Sequence, residues 1–541
     1  MKKIVIVGGG FAGAYAARAL ERRLRKNSDV EILLFCRENY TVFQPMLAEV
    51  ISGTIGITDV VNPLRRMLAR THVHVREVEA IDIVAKTVTV AAGFRPHAHV
   101  ERFDHLILAP GTVTDFRGLP GLPEHALPFK NLADALELRS RVIRALEEAD
   151  VEGDDPDLRR QLLTFVVAGG GFSGVEVVAE LNDFVRRVAK LYRRLDPREI
   201  RVVLAHAQDR ILPEMKPKLG LFAQKILAQR GVELLLGHRL QAATGESAVL
   251  AGPDGVVRIP TKTLVSTIPA SPHPLIDGLN LPKTKNGRLA VDRTLRVQAQ
   301  TNVWALGDCA SVPTKDGTPC PPTAQHATRQ AKLLAENIAR VVENESSTSP
   351  VLAEFNFKGL GKMGSLGRRN AVAEILGVSF SGFLAWFVWR TIYLAKMPGW
   401  ARRLKVASSW TLDLFLEPDL VELRLAAGGG AIHEHFEPGQ RVFSEGDLGD
   451  RVYILLSGRA EVVRRQSARG QEEVIAVLGP GECFGEMALL DSAPRNASIR
   501  CIEPTTVLSI PKREFGLLAA NVPGLRASFE QVTARRVAQL H

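Results

Sequence analysis

Two glycine-rich segments have the residue types and spacing that bind the phosphates of a dinucleotide. Each is a GxGxxG sequence that directly follows an apolar run. Such glycines permit a tight turn, let a pyrophosphate approach the backbone, and let the next helix pack on the strand. The phosphate then lies at a helix N-terminus, where N–H groups and the helix dipole favour an anion. A glycine turn can be only a turn, but two copies in one context favour two dinucleotide sites. The glycines are Gly8, Gly10 and Gly13, and Gly169, Gly171 and Gly174.

The elements that position these turns must be the strands and helices of an α/β fold. Up to about residue 345, short apolar runs such as VEILLF, IRVVLAHA and TKTLVSTIP end in Gly, Pro or polar residues, which is typical of buried parallel strands. IVIVGGGFAGAYAARAL and FVVAGGGFSGVEVVAEL indicate an internal duplication of a nucleotide-binding unit. The polar stretches at 152–157 and 344–350 indicate breaks in the chain.

Composition bounds the function classes. The 541 residues suggest three or four domains, and 46% hydrophobic with 24% charged residues excludes disorder of the whole chain. The net charge of +10 suits an anionic cofactor or a membrane surface as well as nucleic acid. Five scattered cysteines without CxxC spacing argue against a disulfide framework or a metal site and favour a reducing compartment.

Four motifs in order resemble the two-dinucleotide-binding-domain flavoproteins: GxGxxG, LILAPGT at 106–112, the second GxGxxG, and GDCA at 307–310. The resemblance implies FAD at the first turn and NAD(P)H at the second, with Asp308 hydrogen-bonding the ribityl chain of FAD. The alternative for Asp308 is a turn cap. The FAD residues that it implies are Gly8, Gly10, Phe11, Ala12, Gly13, Arg37, Val78, Ala109, Gly111, Asp308 and Ala324. The NAD(P)H residues are Gly169, Gly171, Gly174 and His206.

Three further stretches resemble the type II NADH dehydrogenases, which are single-subunit, non-proton-pumping NADH:quinone oxidoreductases. They are NYTVFQPMLAEV at 39–50, PPTAQHATRQAKLLAENIA at 321–339 and the segment 367–394. The resemblance implies hydride transfer from nicotinamide to flavin N5 and then reduction of a quinone. A thiol relay is excluded because 39–50 contains no cysteine. We therefore predict an FAD domain (1–160 and 290–345), an NAD(P)H domain (161–289) and a helical region (346–426).

The same resemblance implies the catalytic residues. Gln325 takes the place of the glutamine that hydrogen-bonds a quinone carbonyl, and Gln44 and Pro45 complete the quinone site. Glu176 follows the second glycine turn, where a carboxylate can relay protons or orient the nicotinamide. The alternatives are a surface glutamine at a helix start for Gln325 and a first-turn glutamate favoured by the helix dipole for Glu176.

Two residues depart from the pattern. An acidic residue normally binds the adenosine ribose after the second strand of each unit, but LLFCRE offers Cys36 and Arg37, and VVLAHA offers His206. Loss of the second carboxylate removes a hydrogen bond and also a repulsion against a 2′-phosphate. The sequence therefore allows either NADH or NADPH as the substrate. It also allows an enzyme whose turnover is weakened.

The segment 371–410 contains Trp386, Trp389, Trp400 and Trp410. We expect an amphipathic membrane-anchoring region here, with Arg402, Arg403 and Lys405 at anionic headgroups. A core or dimer helix with buried aromatics is the alternative. The uncharged stretch is shorter than the roughly 20 residues of a membrane span. We expect a peripheral protein on the cytoplasmic face of the inner membrane, a homodimer, and no nucleic-acid partner.

The last part of the chain, from 431 to 541, predicts an all-β jelly-roll module with a closing helix at 524–540. FGEMALLDSAPRNASIRC at 484–501 resembles the phosphate-binding cassette of cyclic nucleotide-binding domains. The resemblance implies Glu486 at the ribose 2′-OH and Arg495 at the cyclic phosphate, with Gly485, Ala497 and Ser498 completing the cradle. The expected ligand is cAMP, acting as a regulator; a degenerate barrel without ligand is the alternative.

These features predict a flavoenzyme that oxidises NAD(P)H with a quinone under control of a cyclic nucleotide. A signalling flavoprotein with little turnover is a second possibility, favoured by Cys36 and His206. A reductase of another acceptor, such as a ferredoxin-like protein, is a third, against which FQPML and TAQHA argue.

Overall fold

The structure is a computed structural model that divides into two compact units, Met1–Val78 with Arg102–Arg424 and Glu79–Glu101 with Leu425–His541. It describes residues 1–91, 99–116, 118–268, 271–343, 350–422, 432–436, 438–447, 449, 451–465, 472–486, 494–512 and 515. The closing helix expected at 524–540 lies outside these described residues.

The N-terminal third contains eleven strands and five helices among its described residues. The strands are β1 Lys2–Val7, β2 Val30–Cys36, β3 Tyr40–Val42, β4 Val61–Pro63, β5 His72–Val75, β6 Val78–Asp82, β7 Thr87–Val90, β8 His99–Arg102, β9 His105–Leu108, β10 Thr112–Val113 and β11 Ala126–Pro128. The helices are α1 Phe11–Arg23, α2 Glu49–Ser52, α3 Leu64–Met67, α4 Leu122–His125 and α5 Leu132–Val151.

The middle of the chain repeats the alternation. Its strands are β12 Thr164–Ala168, β13 Arg201–His206, β14 Val232–Leu236, β15 Arg239–Ala243, β16 Ser247–Gly252, β17 Gly255–Pro260, β18 Thr263–Ser266, β19 Ser271–Pro272, β20 Leu289–Ala290, β21 Val303–Ala305 and β22 Ala310–Ser311. Its helices are α6 Pro156–Leu162, α7 Phe172–Val188, α8 Pro217–Gln229, α9 Pro274–Asp277 and α10 Ala324–Glu343.

Two five-stranded parallel sheets carry the glycine turns. The first has the order β21-β9-β1-β2-β5 and the second the order β11-β18-β12-β13-β14. Each central strand is apolar and buried, so the glycine turn that follows it lies at the carboxyl edge of its sheet. Ligands of open α/β sheets bind at that edge. The prediction of a duplicated α/β dinucleotide-binding fold is confirmed.

The region after α10 combines a small sheet with two helices. It contains β23 Gly361–Ser365, β24 Ala371–Ile375, β25 Val378–Ser381, α11 Gly382–Lys396 and α12 Trp400–Leu412. The region predicted as helical at 346–426 thus contains two helices and also a small sheet, because the apolar run that begins at Ile375 completes one strand and forms another before α11 starts. Among the described residues, no helix is both long and apolar enough to cross a membrane.

The C-terminal module consists of two four-stranded antiparallel sheets, in the orders β26-β33-β28-β31 and β27-β32-β29-β30. Its strands are β26 Ile432–Phe436, β27 Arg441–Phe443, β28 Arg451–Ser457, β29 Ala460–Arg465, β30 Glu472–Leu478, β31 Cys483–Phe484, β32 Ser498–Cys501 and β33 Thr505–Pro511. Tyr453, Leu455 and Phe484 lie in its apolar core. The predicted all-β module is present.

Candidate functional site

The first glycine turn leaves room for a phosphate. Gly8 has φ +108°, a left-handed conformation, and a Cβ there would collide with the carbonyl oxygen of Ala109. A Cβ on Gly13 would collide with the carbonyl oxygen of Gly8, whereas one on Gly10 would meet nothing within 4 Å. The backbone is thus tightly packed on the protein side and open at the N-terminus of α1, which fits the diphosphate of FAD.

One departure noted in the sequence, Cys36, lies beside this turn. The Cβ of Cys36 would lie 2.8 Å from a Cβ on Gly9, so the end of β2 borders the turn. Burial raises the pKa of the Cys36 thiol to about 11, so that it stays protonated and supplies no negative charge. The GDCA segment also meets the turn, because the Cβ of Ala12 is 2.8 Å from the Cβ position of Gly307.

The second glycine turn has the same construction. Gly169 has φ +119°, and a Cβ on Gly174 would collide with the Gly169 carbonyl oxygen. The backbone N–H of Gly170 donates a hydrogen bond to Nδ1 of His206 at 3.0 Å. His206 therefore supports the turn from the end of β13.

A cleft of about 350 Å³ brings together residues that are far apart in the sequence. Gln44, Lys130, Glu176 and Asp308 line it, each from a different segment. Burial raises the pKa of Asp308, while the positive charges of Lys130 and Arg288 oppose that shift. Burial also lowers the pKa of Lys130 to about 8. The cleft thus contains the Asp308 carboxyl as a hydrogen-bond acceptor, the partly desolvated Lys130 ammonium and the polar amide of Gln44.

The structure gives the local surroundings of the remaining residues predicted for FAD. Gly111 has φ +74°, and Phe11 stacks on Tyr15 with ring centroids 5.9 Å apart. Val78 is buried in the first unit. Ala324 is the first residue of α10. Burial lowers the pKa of the His273 imidazole, and the nearby positive charge of Arg37 lowers it further. Sequence reasoning missed Gln330, whose Oε1 accepts the N–H of Gly307 at 2.9 Å.

Glu176 and Gln325 both bind strand β23. Oε1 of Glu176 accepts the backbone N–H of Ser365 at 3.1 Å. The Gln325 side chain accepts the N–H of Leu360 at 3.1 Å and donates to the carbonyl of Gly361 at 3.2 Å. Gln325 does not line the cleft that contains Gln44, so the structure does not place the predicted quinone residues in one cavity.

Glu176, which is half-buried, lies near two buried acids, Glu49 and Glu180, that sequence reasoning did not single out. Burial raises the pKa of Glu176 to about 8, and burial together with the charge of Glu49 raises that of Glu180 to about 8. Oε2 of Glu180 accepts the Ser52 hydroxyl at 2.5 Å. Glu176 and Glu180 are four residues apart in α7, and this spacing on one helix face was the available signal.

Glu49 connects this group to the C-terminal helices. Its Oε2 accepts the indole N–H of Trp410 at 2.7 Å, and its Oε1 is 3.7 Å from the Arg390 guanidinium. That guanidinium lies over the rings of Trp386 and Trp410, at 4.2 and 4.4 Å from their centroids. The two aromatic rings and the carboxylate together compensate the burial of the charge.

The tryptophan-rich helices have one buried and one exposed side. Trp389 and Trp410 are buried, whereas Trp400 is 77% exposed. Exposed apolar side chains also include Phe383, Leu384 and Phe387 of α11 and Leu404 of α12. Two of the basic residues expected at lipid headgroups have partners within the protein. Arg402 bonds the carbonyl of Thr58 and lies 3.6 Å from Asp59, and Arg403 donates to the carbonyl of Met397 at 2.9 Å.

The barrel module gathers the residues predicted for a cyclic nucleotide. Arg495 and Glu486 are both buried, 4% and 1% exposed. The Arg495 guanidinium donates to the carbonyls of Gly485 and, at 2.6 Å, Arg451, and lies 4.1 Å from the Phe443 ring centroid.

The other two cassette residues lie beside β32. Ala497 is buried, and the Ser498 hydroxyl accepts the N–H of Glu445 at 2.9 Å. The predicted cassette thus forms a compact polar group, although residues 487–493 lie outside the described part.

Comparison with family models gives three matches. Residues 2–331 match the pyridine nucleotide-disulphide oxidoreductases, residues 360–416 the NDH2 C-terminal domain and residues 433–521 the cyclic nucleotide-binding domain. The order of the three matches is that of the predicted domains.

Curated relatives and solved structures agree with these matches. The chain is 32% identical over 424 residues to the type II NADH:quinone oxidoreductase NdhA of Mycobacterium tuberculosis, covering 76% of this chain and 87% of that protein. It is 29% identical to an internal alternative NAD(P)H-ubiquinone oxidoreductase A1 of Arabidopsis thaliana, covering 77% and 85%. The structure of NDH2 from Plasmodium falciparum in complex with NADH has a TM-score of 0.72 at 19% identity, covering 78% and 99%. That structural likeness shows the fold.

Proposed function

The chain belongs to the pyridine nucleotide-disulphide oxidoreductases and, among them, to the type II NADH:quinone oxidoreductases, and on that premise we propose that its glycine turns hold FAD and NAD(P)H beside the Asp308 cleft. It is an FAD-dependent oxidoreductase that oxidises NAD(P)H with a quinone. The observation that carries the proposal is that Gln44, Glu176 and Asp308 line one cleft. The two glycine turns support it, because a Cβ on Gly8 or Gly169 would clash with neighbouring atoms.

The chain's own residues bind and orient both dinucleotides. The open N-terminus of α1 at Gly10 takes the FAD diphosphate, and Asp308 accepts hydroxyl hydrogens of the ribityl chain. The open N-terminus of α7 at Gly171 takes the NAD(P)H diphosphate in the same way. When bound, FAD supplies the chemistry of accepting a hydride and passing the electrons on.

Glu176 holds a proton for the reaction. With a pKa of about 8, its carboxyl is mostly protonated at neutral pH and can give a proton at the cleft to a reduced quinone or orient the nicotinamide. Gln44, Pro45 and Gln325 are proposed for the acceptor side. The Gln325 amide has two N–H donors, and one of them bonds the Gly361 carbonyl, so the other is the donor proposed for a quinone carbonyl.

The decisive test is the optical spectrum of the purified chain. We expect a yellow protein whose flavin absorbance is bleached by NADH or NADPH under anaerobic conditions and restored by a soluble quinone. A colourless protein that FAD does not reconstitute would contradict the flavoenzyme. Bleaching without restoration by quinone would favour the signalling flavoprotein or another acceptor.

The second part of the proposal is regulation by a cyclic nucleotide, with cAMP as the expected ligand. Support comes from the buried pair Arg495 and Glu486 next to Gly485. A guanidinium has five N–H donors, and a cyclic phosphate is a stronger, charge-assisted acceptor than the backbone carbonyls that Arg495 bonds here. Regulation requires that turnover change when cAMP binds.

We also propose peripheral binding to the cytoplasmic face of the inner membrane through the exposed side of α11 and α12. The exposed Phe383, Phe387, Trp400 and Leu404 supply apolar surface, and Lys405 supplies charge for anionic headgroups. A homodimer and the absence of a nucleic-acid partner stay predictions.

A further inference from the structure

The end of β13 is where a dinucleotide-binding unit usually places the acid that binds the adenosine ribose. His206 occupies that position, but its ring is turned into the protein. Nδ1 accepts the N–H of Gly170 at 3.0 Å, and Nε2 is buried. Neither ring nitrogen is left for a ribose, so His206 holds the glycine turn and another residue must recognise the sugar.

The loop after β13 returns to the same turn. The backbone N–H of Leu212 donates to the carbonyl of Gly170 at 2.7 Å, and Leu212 has φ +50°. A left-handed conformation is uncommon for leucine, and it redirects the chain so that the residues after it run beside the turn. The loop is therefore held against the proposed dinucleotide site by the backbone itself.

This loop presents Glu214 at the open edge of the turn. Oε1 of Glu214 would lie 3.7 Å from a Cβ placed on Gly171, while the side chain as a whole is exposed. The backbone carbonyl of Glu214 accepts Nζ of Lys362, which fixes the main chain at this point. Among the described residues, no hydrogen bond or ion pair engages the Glu214 carboxylate.

We propose that Glu214 is the carboxylate that binds the adenosine ribose hydroxyls and thereby makes the chain select NADH over NADPH. A ribose presents two hydroxyl donors, and one carboxylate can accept both. A 2′-phosphate in their place would meet a like charge at short range. The proposal rests on the proposed binding of a nicotinamide dinucleotide at the second glycine turn.

A nearby acid supplies the matched control. Asp209 is exposed in the same loop and also affects the His206 imidazole electrostatically, but no described contact joins it to the glycine turn. Lys216, the closest lysine in sequence, is already paired with Glu374 at 3.5 Å and with the carbonyl of Gly377 at 2.8 Å. The carboxylate at the turn is therefore not offset by this lysine.

The test uses the full-length, flavin-loaded chain and three forms: wild type, Glu214→Gln and Asp209→Asn. Calorimetry gives the dissociation constants of NAD⁺ and NADP⁺, and steady-state assays give kcat/KM for NADH and NADPH. We expect the wild type to prefer the unphosphorylated dinucleotide by both measures. Glu214→Gln should weaken NAD⁺ binding by about tenfold, equivalent to 1.4 kcal/mol, and should not weaken NADP⁺ binding. Asp209→Asn should change neither.

Four results would overturn the proposal. A wild type that prefers NADP⁺, or a ratio of the two constants that Glu214→Gln leaves unchanged, would remove Glu214 while keeping the dinucleotide site. An equal effect of Asp209→Asn would reduce the role of Glu214 to general loop charge. Absence of binding of both dinucleotides to a folded wild type would overturn the site and the proposal together.

Discussion

Glu176 and Gln325 hold the two ends of the same strand, β23, through the backbone of Ser365 on one side and of Leu360 and Gly361 on the other. The first residue lines the proposed nicotinamide and flavin cleft, and the second is proposed for the quinone. On these proposed assignments, one short strand lies between the electron-donor side and the electron-acceptor side, and each side chain supports its own end of the strand.

We predict that Gln325→Ala slows the reoxidation of the flavin by quinone by about tenfold, which corresponds to one lost hydrogen bond of 1.4 kcal/mol. Reduction by NADH should change less than twofold, because Glu176 keeps its bond to Ser365. Anaerobic stopped-flow measurement of each half-reaction decides the matter, with the exposed Gln298→Ala as control. Equal slowing of both halves would make Gln325 a structural support of β23.

Asp308→Ala should lower the flavin occupancy of the purified chain several-fold. The substitution removes the predicted acceptor for the ribityl hydroxyls and leaves the Lys130 ammonium with one neighbouring carboxylate, Asp134, instead of two. The ratio of flavin to protein absorbance measures the effect. Asp316→Ala, in an exposed turn of the same domain, should bind flavin as the wild type does. Full occupancy in Asp308→Ala would favour the turn-cap role.

Glu180→Gln should stabilise the chain at high pH. The pKa of Glu180 is about 8 in the fold and about 4.3 in an unfolded chain, so the folded state binds more protons between these values. The free energy of unfolding therefore falls as pH rises through this window, by up to about 1.4 kcal/mol per pH unit for this group. Glutamine removes this loss and still reaches Ser52.

The measurement is the melting temperature at pH 5, 7 and 9. The difference between Glu180→Gln and wild type should grow with pH, whereas Glu137→Gln, at a side chain that is 43% exposed, should show a constant difference. Parallel pH profiles for all three proteins would mean that Glu180 ionises normally in the fold.

Arg495→Lys should weaken cAMP binding to the full-length chain by at least about tenfold. A lysine cannot copy the planar fork of the guanidinium, and it loses the contact with the Phe443 ring. Titration with a fluorescent cAMP analogue measures the affinity, and competition with cGMP gives the selectivity. Arg441→Lys, exposed on another strand, is the control. Undiminished affinity in Arg495→Lys would remove this residue from the phosphate site.

Replacing Trp400 and Leu404 by serine should reduce co-flotation of the chain with vesicles that contain anionic lipid. Both side chains are largely exposed, so their replacement removes apolar surface without opening the core. Leu221→Ser, which changes an equally exposed leucine on α8, should float as the wild type does. If the double variant floats equally well, α12 is not the membrane contact.

The part of the molecule that could be predicted from the sequence is the part determined by local patterns. Each glycine turn lies between an apolar strand and a helix within some twenty residues, so its context is visible in the chain. The segment after α10 was harder, because an uncharged apolar run does not separate strand from helix. Gly377 and Gly382, with φ of +85° and +70°, mark the ends of β25 and were the missed signal.

The contacts that could not be predicted join distant segments. No residue close to Arg402 in the sequence indicates that it bonds to Thr58. The neighbouring Arg403 and Lys405 favoured a contact with lipid headgroups instead. The burial of Glu49 depends in the same way on α11 and α12. Tertiary packing determines such pairs, and a single sequence carries no local signature of it.

The bond between Glu49 and Trp410 spans 361 residues, and this separation has a consequence for synthesis. At roughly 5–20 residues per second, about 20 to 70 seconds pass between the translation of the carboxylate and that of its indole partner. During that interval Glu49 of α2 cannot form its hydrogen bond with Trp410. Burial of Glu49 is therefore completed only after α12 has been synthesised, and chains released before that point keep this acidic side chain in water where the finished protein has a closed interior.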